Sequence, residues 1–344
     1  MRAAVLHGKE LVRIEEVPIK PLGAGEVRID IHAALTCGTD LKVYRRGYHA
    51  KMIVPPAVFG HELAGIIAEV GKDIAADWRV GERVVVANSA PCDDCVYCRA
   101  GQQNLCDHLQ FLNGAYAESI TVPARLVRKN LLRVATETSL VDAALVEPLA
   151  CVVLGMEETH LKPGERVLVV GAGPIGLMFV VLARELGCEV TVVGRGEKRL
   201  ETARRLGAHV TIGAGAGNDL VGTVRGSTDA HFDAVIEAVG KPEVWEAAAA
   251  LVRKGGRVNF FGGCPTGTRV SFDTAWLHYS SVRLAASFHH NPASVRRALD
   301  YIQRRIVRSA DFVDGECSLE QLPTLFQAMA AGNRAVKTLV RTRT

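Results

Sequence analysis

The segment LKPGERVLVV runs directly into Gly171-Ala172-Gly173-Pro174-Ile175-Gly176 and then into LMFVVLARELG. A G-x-G-x-x-G pattern alone is a weak signal. Here it follows a buried-strand pattern entered through a Pro-Gly turn and opens a helix, and that context demands a tight strand–turn–helix unit. Gly171 permits the turn, Gly173 lets backbone approach a pyrophosphate, and Gly176 allows close helix–strand contact. Pro174 and Ile175 begin the helix, whose N-terminus favours phosphate charge. A glycine-rich turn without a ligand is the plainer alternative.

Further units of the same kind follow. The helix ends near Gly187, and CEVTVVG reads as the next strand. Then come the helix EKRLETARRLGA and the strands HVTIG, FDAVIEAVG and RKGGRVNFFGG. Strands and helices alternating at this spacing imply an α/β fold with a doubly wound parallel sheet of Rossmann type, over residues 151–285. Residues 1 to about 150 are instead β-rich, with short runs at 27–31, 65–70 and 83–86 between Gly, Pro and Asp turn signals. The N-terminus reads as an amphipathic strand pair, and residues 292–304 as a helix with an Arg-rich face.

The chain has 344 residues, enough for two domains, and is 48% hydrophobic and 23% charged, as globular chains are. A formal charge of +4 without any block of like charge argues against a nucleic-acid or membrane-surface partner. The N-terminus lacks the apolar stretch of a signal peptide. The longest uncharged run, residues 167–183, is broken by glycines and a proline and falls short of the ~20 apolar residues of a spanning helix. Nine cysteines, an odd number, argue against a closed disulfide framework and for a reducing, cytoplasmic compartment.

The second strand of the glycine-loop unit ends Val192-Val193-Gly194-Arg195-Gly196. An acid that would hold ribose hydroxyls is missing there. Gly194 leaves room and Arg195 brings a guanidinium, with Lys198 and Arg199 nearby, which suits the 2′-phosphate of NADP. The alternative is NAD, with Glu197 making the ribose contact and Arg195 merely exposed.

Cys92, Cys95, Cys98 and Cys106 give C-x2-C-x2-C-x7-C. Four thiolates so close can enclose a tetrahedral Zn²⁺ with no open position, a structural site that staples a polar loop. Iron–sulfur ligation is the competing reading. Three other positions carry metal-ligand chemistry: Cys37 in LTCGTD, His61 and Glu62 in FGHE, and Glu147 in LVEPLA. Cys, His and carboxylate form a set that leaves a fourth position open. Singly, each has a plainer reading as a buried thiol or a surface pair, and spacing cannot bring residues 37, 61 and 147 together.

CGTD, GHE, the four-cysteine lobe, EPL and GAGPIG, in that order, resemble the zinc-containing medium-chain dehydrogenases, closest in style to the sorbitol and threonine dehydrogenase branch. The resemblance spans nearly the whole chain. It implies a GroES-like β-rich catalytic domain over 1–150, carrying the structural-zinc lobe at about 88–110 and completed by 286–344. By the same resemblance Cys37 and His61 are catalytic zinc ligands, and Glu62 is an adjacent carboxylate that can bind or exchange. Glu147 falls at the third ligand position, direct or through water. Thr39 resembles the family's hydroxyl relay. Lys42 stands where many relatives have His, and could relay a proton or face the cofactor phosphates. His289 and His290, after Phe288, replace an Arg-Tyr pair of polyol dehydrogenases. With Tyr44 and Tyr48 they are substrate-site candidates.

The implied chemistry is hydride transfer between a secondary alcohol (polyol, sugar or hydroxy acid derivative) and NAD(P), with two zinc ions per subunit. The implied partners are a small alcohol or ketone and further copies of the chain, as a dimer or tetramer. Two rivals share the fold: a zinc-free quinone or carbonyl reductase, and a non-enzymatic nucleotide-binding redox sensor. A zinc-finger nucleic-acid binder lacks its basic recognition helix.

Overall fold

A computed structural model describes residues 1–49, 52–74, 76–215, 219–229, 231–332 and 335–343. The chain forms two units, Met1–Ala150 with His290–Thr344, and Cys151–His289.

The first unit is organised around strand Val27–Leu35, in a seven-stranded sheet. It pairs antiparallel with Glu62–Val70 on one side and Lys337–Arg341 on the other, and also with Ser119–Val122. Val27, Ile29, Ile31 and Ala33 are fully buried while His32 is exposed, the period of two that turns one sheet face to the core. Behind that face Phe59, Tyr116 and Phe326 pack with ring centroids 5.1–6.1 Å apart.

The sequence pattern ends this strand at Ile31 and begins its neighbour at Gly65. The structure carries the pair on to Leu35 and back to Glu62. Ala33, Ala34, Leu35, Leu63 and Ala64 are all buried, so the alternation that marks a half-exposed strand is lost there. Those unmarked residues set the register that matters: Leu35 lies opposite Glu62 and also opposite Leu339. Beyond these pairs lie Thr36–Cys37 and Gly60–His61, and Lys337 opens the third strand beside them, so residues remote in sequence meet at one end of the sheet. The cysteine lobe is closed by the short antiparallel pair Ser89–Ala90 and Gln110–Phe111.

The second unit is a six-stranded, wholly parallel sheet. Its order is Val210–Gly213, Glu189–Gly194, Arg166–Val170, Phe232–Glu237, Val252–Phe260, Arg283–Ala286. In this unit's own numbering that is 3-2-1-4-5-6, with the switch point between Arg166–Val170 and Phe232–Glu237. Val167, Leu168 and Val169 are fully buried, as expected of a parallel strand covered on both faces. The helix after the glycine turn is Pro174–Glu185, buried from Gly176 to Ala183. Residues 292–304 form the expected helix, Pro292–Gln303. Among the described residues no helix is long and apolar enough to cross a membrane.

Candidate functional site

Cys37 is the N-cap of helix Gly38–Arg46, and the capping box fixes it. Its sulfur accepts from Thr39 N at 3.4 Å, while the Asp40 carboxylate accepts from Cys37 N at 3.1 Å. The sheet register brings His61 and Glu62 alongside. Ligand atoms of Cys37, His61 and Glu62 lie within 4.8 Å of one another.

His61 Nδ1 sits 3.0 Å from Asp40 Oδ1, and both side chains are buried. A carboxylate on one ring nitrogen fixes the tautomer and leaves Nε2 as the free lone pair, the arrangement usual behind metal-ligating histidines. Asp40 is held in turn: the Tyr116 hydroxyl donates to Oδ2 at 2.5 Å. Burial acts to lower the His61 pKa, but Asp40, helped by Cys37, overrides it and holds the imidazole well above its ordinary range, so a cation taken up at Nε2 displaces a proton there.

Glu62 is fully buried and its two oxygens accept from Lys337 Nζ at 2.7 and 2.5 Å. Lys337, 2% exposed, also donates to the Thr36 carbonyl at 3.1 Å. Burial pushes the Glu62 carboxyl up, and Lys337 opposes that shift. Glu147, in the first turn of helix Val146–Thr159, is 6% exposed. Burial pushes its carboxyl up to about 7, with His61 pulling the other way and Glu62 adding to the rise. Cys37, Asp40, Glu62 and Glu147 thus crowd four acidic groups around Lys337 and His61. Such a cluster fits a divalent cation, because its carboxylates lack enough positive charge to ionise together. The donor set of thiolate, imidazole and carboxylate suits zinc.

In the lobe, ligand atoms of Cys92, Cys95, Cys98 and Cys106 also lie within 4.8 Å of one another. Cys92 Sγ is 3.4 Å from Cys106 Sγ and 4.0 Å from Cys98 Sγ, against the ~3.8 Å edge expected of a tetrahedron with Zn–S bonds of ~2.3 Å. Backbone N–H groups of Cys92, Asp94, Cys95 and His108 point at these sulfurs from 3.3–3.4 Å. The backbone N–H of Cys98 helps lower the Cys95 thiol to about 6, while burial raises Cys98 to about 12. The four thiols ionise together only if a cation joins them, so this set too fits zinc.

In the second unit, a Cβ on Gly176 would fall 1.8 Å from the Gly171 carbonyl oxygen, so only glycine permits that helix–turn contact. A Cβ on Gly173 would meet nothing within 4 Å. Gly173 is the N-cap of Pro174–Glu185, and no side chain caps this helix. An open, uncapped helix start beside a glycine turn fits a pyrophosphate. Gly194 packs on the turn, its Cβ position 2.6 Å from Ala172 Cβ. Arg195 is exposed and Arg199 half-buried. Glu197, the alternative ribose contact, pairs with Arg204 at 2.8 Å.

The structure separates the remaining sequence candidates. Thr39 is half-buried beside Cys37. Lys42 is exposed. Tyr44 is corrected: it is 3% exposed and stacks on Phe326 at 5.4 Å, a core residue and not a substrate contact. Tyr48 is 52% exposed. His290 is buried, its Nε2 2.9 Å from Asn88 Oδ1, and a ring nitrogen lies within 4.8 Å of a Glu147 oxygen. His289 is half-buried with φ 66°. Sequence reasoning missed Asp40, Tyr116 and Lys337.

Comparison with known proteins agrees with this geometry. Residues 23–131 match the alcohol dehydrogenase GroES-like domain, and residues 174–304 match the zinc-binding dehydrogenase family. The chain is 29% identical to sorbitol dehydrogenase of Bacillus subtilis strain 168, covering 99% of this chain and 97% of that one. It is 34% identical to L-threonine 3-dehydrogenase of Bacillus velezensis, covering 71% of each. An alcohol dehydrogenase from Thermus sp. ATN1 superposes with a TM-score of 0.87 at 30% identity over 100% of both chains. A protein from Sinorhizobium meliloti 1021, described as a zinc-binding dehydrogenase bound to NADP, superposes with a TM-score of 0.89 at 28% identity, covering 99% of this chain and 98% of that one.

Proposed function

The chain belongs to the zinc-containing medium-chain dehydrogenases, and from that premise we propose that it interconverts a secondary alcohol of the polyol, sugar or hydroxy acid class and its ketone, using NADP and residues Cys37, His61 and Glu147. The main support is one observation: Cys37, His61 and Glu62 offer ligand atoms within 4.8 Å of one another, with Asp40 on the far ring nitrogen of His61.

Zinc, when bound there, supplies Lewis acidity toward the substrate oxygen, and nicotinamide supplies the hydride acceptor. The chain's own residues do the rest. Asp40 keeps the His61 Nδ1 proton in place and Nε2 free. Lys337 neutralises Glu62 and draws its oxygens toward itself, which leaves Cys37 and His61 as ligands and Glu147, whose carboxyl interacts with His61, as the proposed third, directly or through water. Thr39, the second residue of the helix, is the proposed relay: its hydroxyl oxygen would take the substrate proton as its own proton passes on to solvent. Lys42, exposed on helix Gly38–Arg46, is assigned no proton step. His290, held by Asn88 and close to Glu147, is the proposed contact for the substrate hydroxyls.

NADP is favoured over NAD by exposed Arg195, by the absence of an acid at the end of Glu189–Gly194, and by the engagement of Glu197 with Arg204. The Sinorhizobium meliloti relative carries NADP. None of the nine cysteines is joined in a disulfide among the described residues, and a reducing, cytoplasmic setting is proposed on that basis. A homo-oligomer, dimer or tetramer, is proposed by analogy with the branch.

The test is nucleotide reduction across a panel of polyols, sugars and hydroxy acids, with NADP and with NAD, for the native protein and Cys37→Ser. The proposal expects turnover with some secondary alcohols, higher kcat/KM with NADP, and no turnover in Cys37→Ser although NADPH still binds. Unchanged turnover in Cys37→Ser would overturn the assignment of that residue.

A further inference from the structure

Glu237 is fully buried, yet no step above uses it. It ends strand Phe232–Glu237, opposite Val170 in the register, and therefore stands at the switch point of the parallel sheet. Open α/β sheets bind ligands in the crevice beyond the carboxyl ends of the strands at that point. Its carboxylate oxygen Oε1 accepts from Val239 N at 2.7 Å and from Gly240 N at 2.9 Å. Its backbone carbonyl accepts from Phe261 N and Gly262 N, both at 2.9 Å. Ala238 N donates to the Val170 carbonyl at 2.9 Å, tying the same turn to the strand that feeds the glycine loop.

The turn is pressed from two sides. A Cβ on Gly171, the first glycine of the loop, would fall 2.9 Å from Val239 Cγ2 and 3.2 Å from the Ala238 carbonyl oxygen. A Cβ on Gly262 would fall 2.7 Å from Glu237 Oε2 and 2.3 Å from Gly240 N. Val239 is 39% exposed although its neighbours are packed, so it presents an apolar side chain outward beside the glycine turn. The carboxyl thus holds residues 239–240, while the backbone of Glu237 and Ala238 ties the same turn to the ends of the two neighbouring strands.

We propose that Glu237 is a positioning residue for the bound dinucleotide: by accepting from Val239 N and Gly240 N it fixes residues 238–240 against the Gly171 turn, where they form one wall of the nucleotide site. This rests on the nucleotide-binding reading given above. Burial pushes the carboxyl up to about 7, against the Gly240 and Val239 N–H groups that favour its charged form. An acceptor oxygen is present in either protonation state, so the acceptor is the working feature and the charge is dispensable.

The chemistry sets the test. Glu237→Gln keeps an acceptor of the same shape, whereas Glu237→Ala leaves two N–H donors unmet beside an empty space. NADPH affinity is read by fluorescence titration, with circular dichroism, zinc content and KM for the alcohol as controls. Glu237→Ala should weaken NADPH by about tenfold or more, and Glu237→Gln by less than about threefold, with alcohol KM unchanged in both. Gly262→Ala, which pushes the carboxyl from the opposite side, should weaken NADPH in the same way.

Native-like NADPH affinity in Glu237→Ala would overturn the proposal, as would an equal loss in Glu237→Gln. If a variant fails to fold, amide exchange in the native protein reads the same turn: NADPH should slow exchange at residues 238–240, and unchanged exchange overturns the proposal. A native protein that binds neither NADPH nor NADH would instead refute the nucleotide-binding reading.

Discussion

Asp40→Asn separates a positioned imidazole from a merely nearby one. Cys37 N and the Tyr116 hydroxyl both donate to Oδ2 of Asp40, at 3.1 and 2.5 Å, so the carboxamide oxygen of asparagine settles on that side. Its NH₂ group then replaces Oδ1, 3.0 Å from His61 Nδ1. Two donors cannot share that contact, so Nδ1 must accept and the ring proton moves to Nε2, the atom left for a metal. Loss of such an outer partner costs about 10–100-fold in metal affinity, or about 1.4–2.8 kcal/mol. Asp40 is 1% exposed, so water cannot take over its role and the upper part of that range applies. Zinc retention against a competing chelator is the assay. One zinc per subunit should weaken by that factor, while the zinc of the cysteine lobe stays as in the native protein. Two ions both retained at native affinity would refute the tautomer argument, and selective loss from the lobe would refute the assignment of the two sites.

Three more outcomes are expected. Arg195→Ala should weaken NADPH by about tenfold and NADH by less than about twofold, since a guanidinium–phosphate hydrogen bond contributes ~1.5–3 kcal/mol before discounting for the exposure of Arg195; equal losses in titrations of both nucleotides would remove the case for 2′-phosphate recognition. Cys98→Ser should lower zinc content by one ion per subunit and speed proteolytic nicking within residues 88–110, because the lobe has little core of its own; unchanged cleavage would show that the lobe holds itself together. Lys337→Met leaves the Glu62 carboxylate buried without its partner and should destabilise the protein by about 3–5 kcal/mol, most of it recovered in Lys337→Met/Glu62→Leu; simply additive losses in thermal unfolding would show that the pair is not coupled.

The nucleotide-binding unit was largely legible because its signals are local. Periodicity marks each strand and helix of 162–262, and the glycine spacing marks the turn. The metal cluster was legible only through ordered motifs, since the register that joins Leu35 to Glu62 and Leu339 lies in strand ends without alternation. Lys337 did leave a trace, a lone lysine in the apolar run AVKTLV, but nothing local names its partner 275 positions away. Asp40 was in view as the fourth residue of CGTD, and its place three residues after Cys37 is that of a capping box. Tyr44, a substrate-site candidate by sequence, is placed instead by the periodicity of its helix. Asp40, Leu41 and Tyr44 follow the i, i+1, i+4 spacing of a helix face turned inward, and all three are buried.

The most direct test of the account is zinc-edge anomalous diffraction from crystals of the protein grown with NADP. Two peaks per subunit are predicted, one within the four-cysteine lobe and one about 2.3 Å from Cys37 Sγ with His61 Nε2 as a further ligand. A single peak confined to the lobe, with Cys37 and His61 ordered and bare, would contradict the claim that this chain carries out metal-assisted alcohol oxidation.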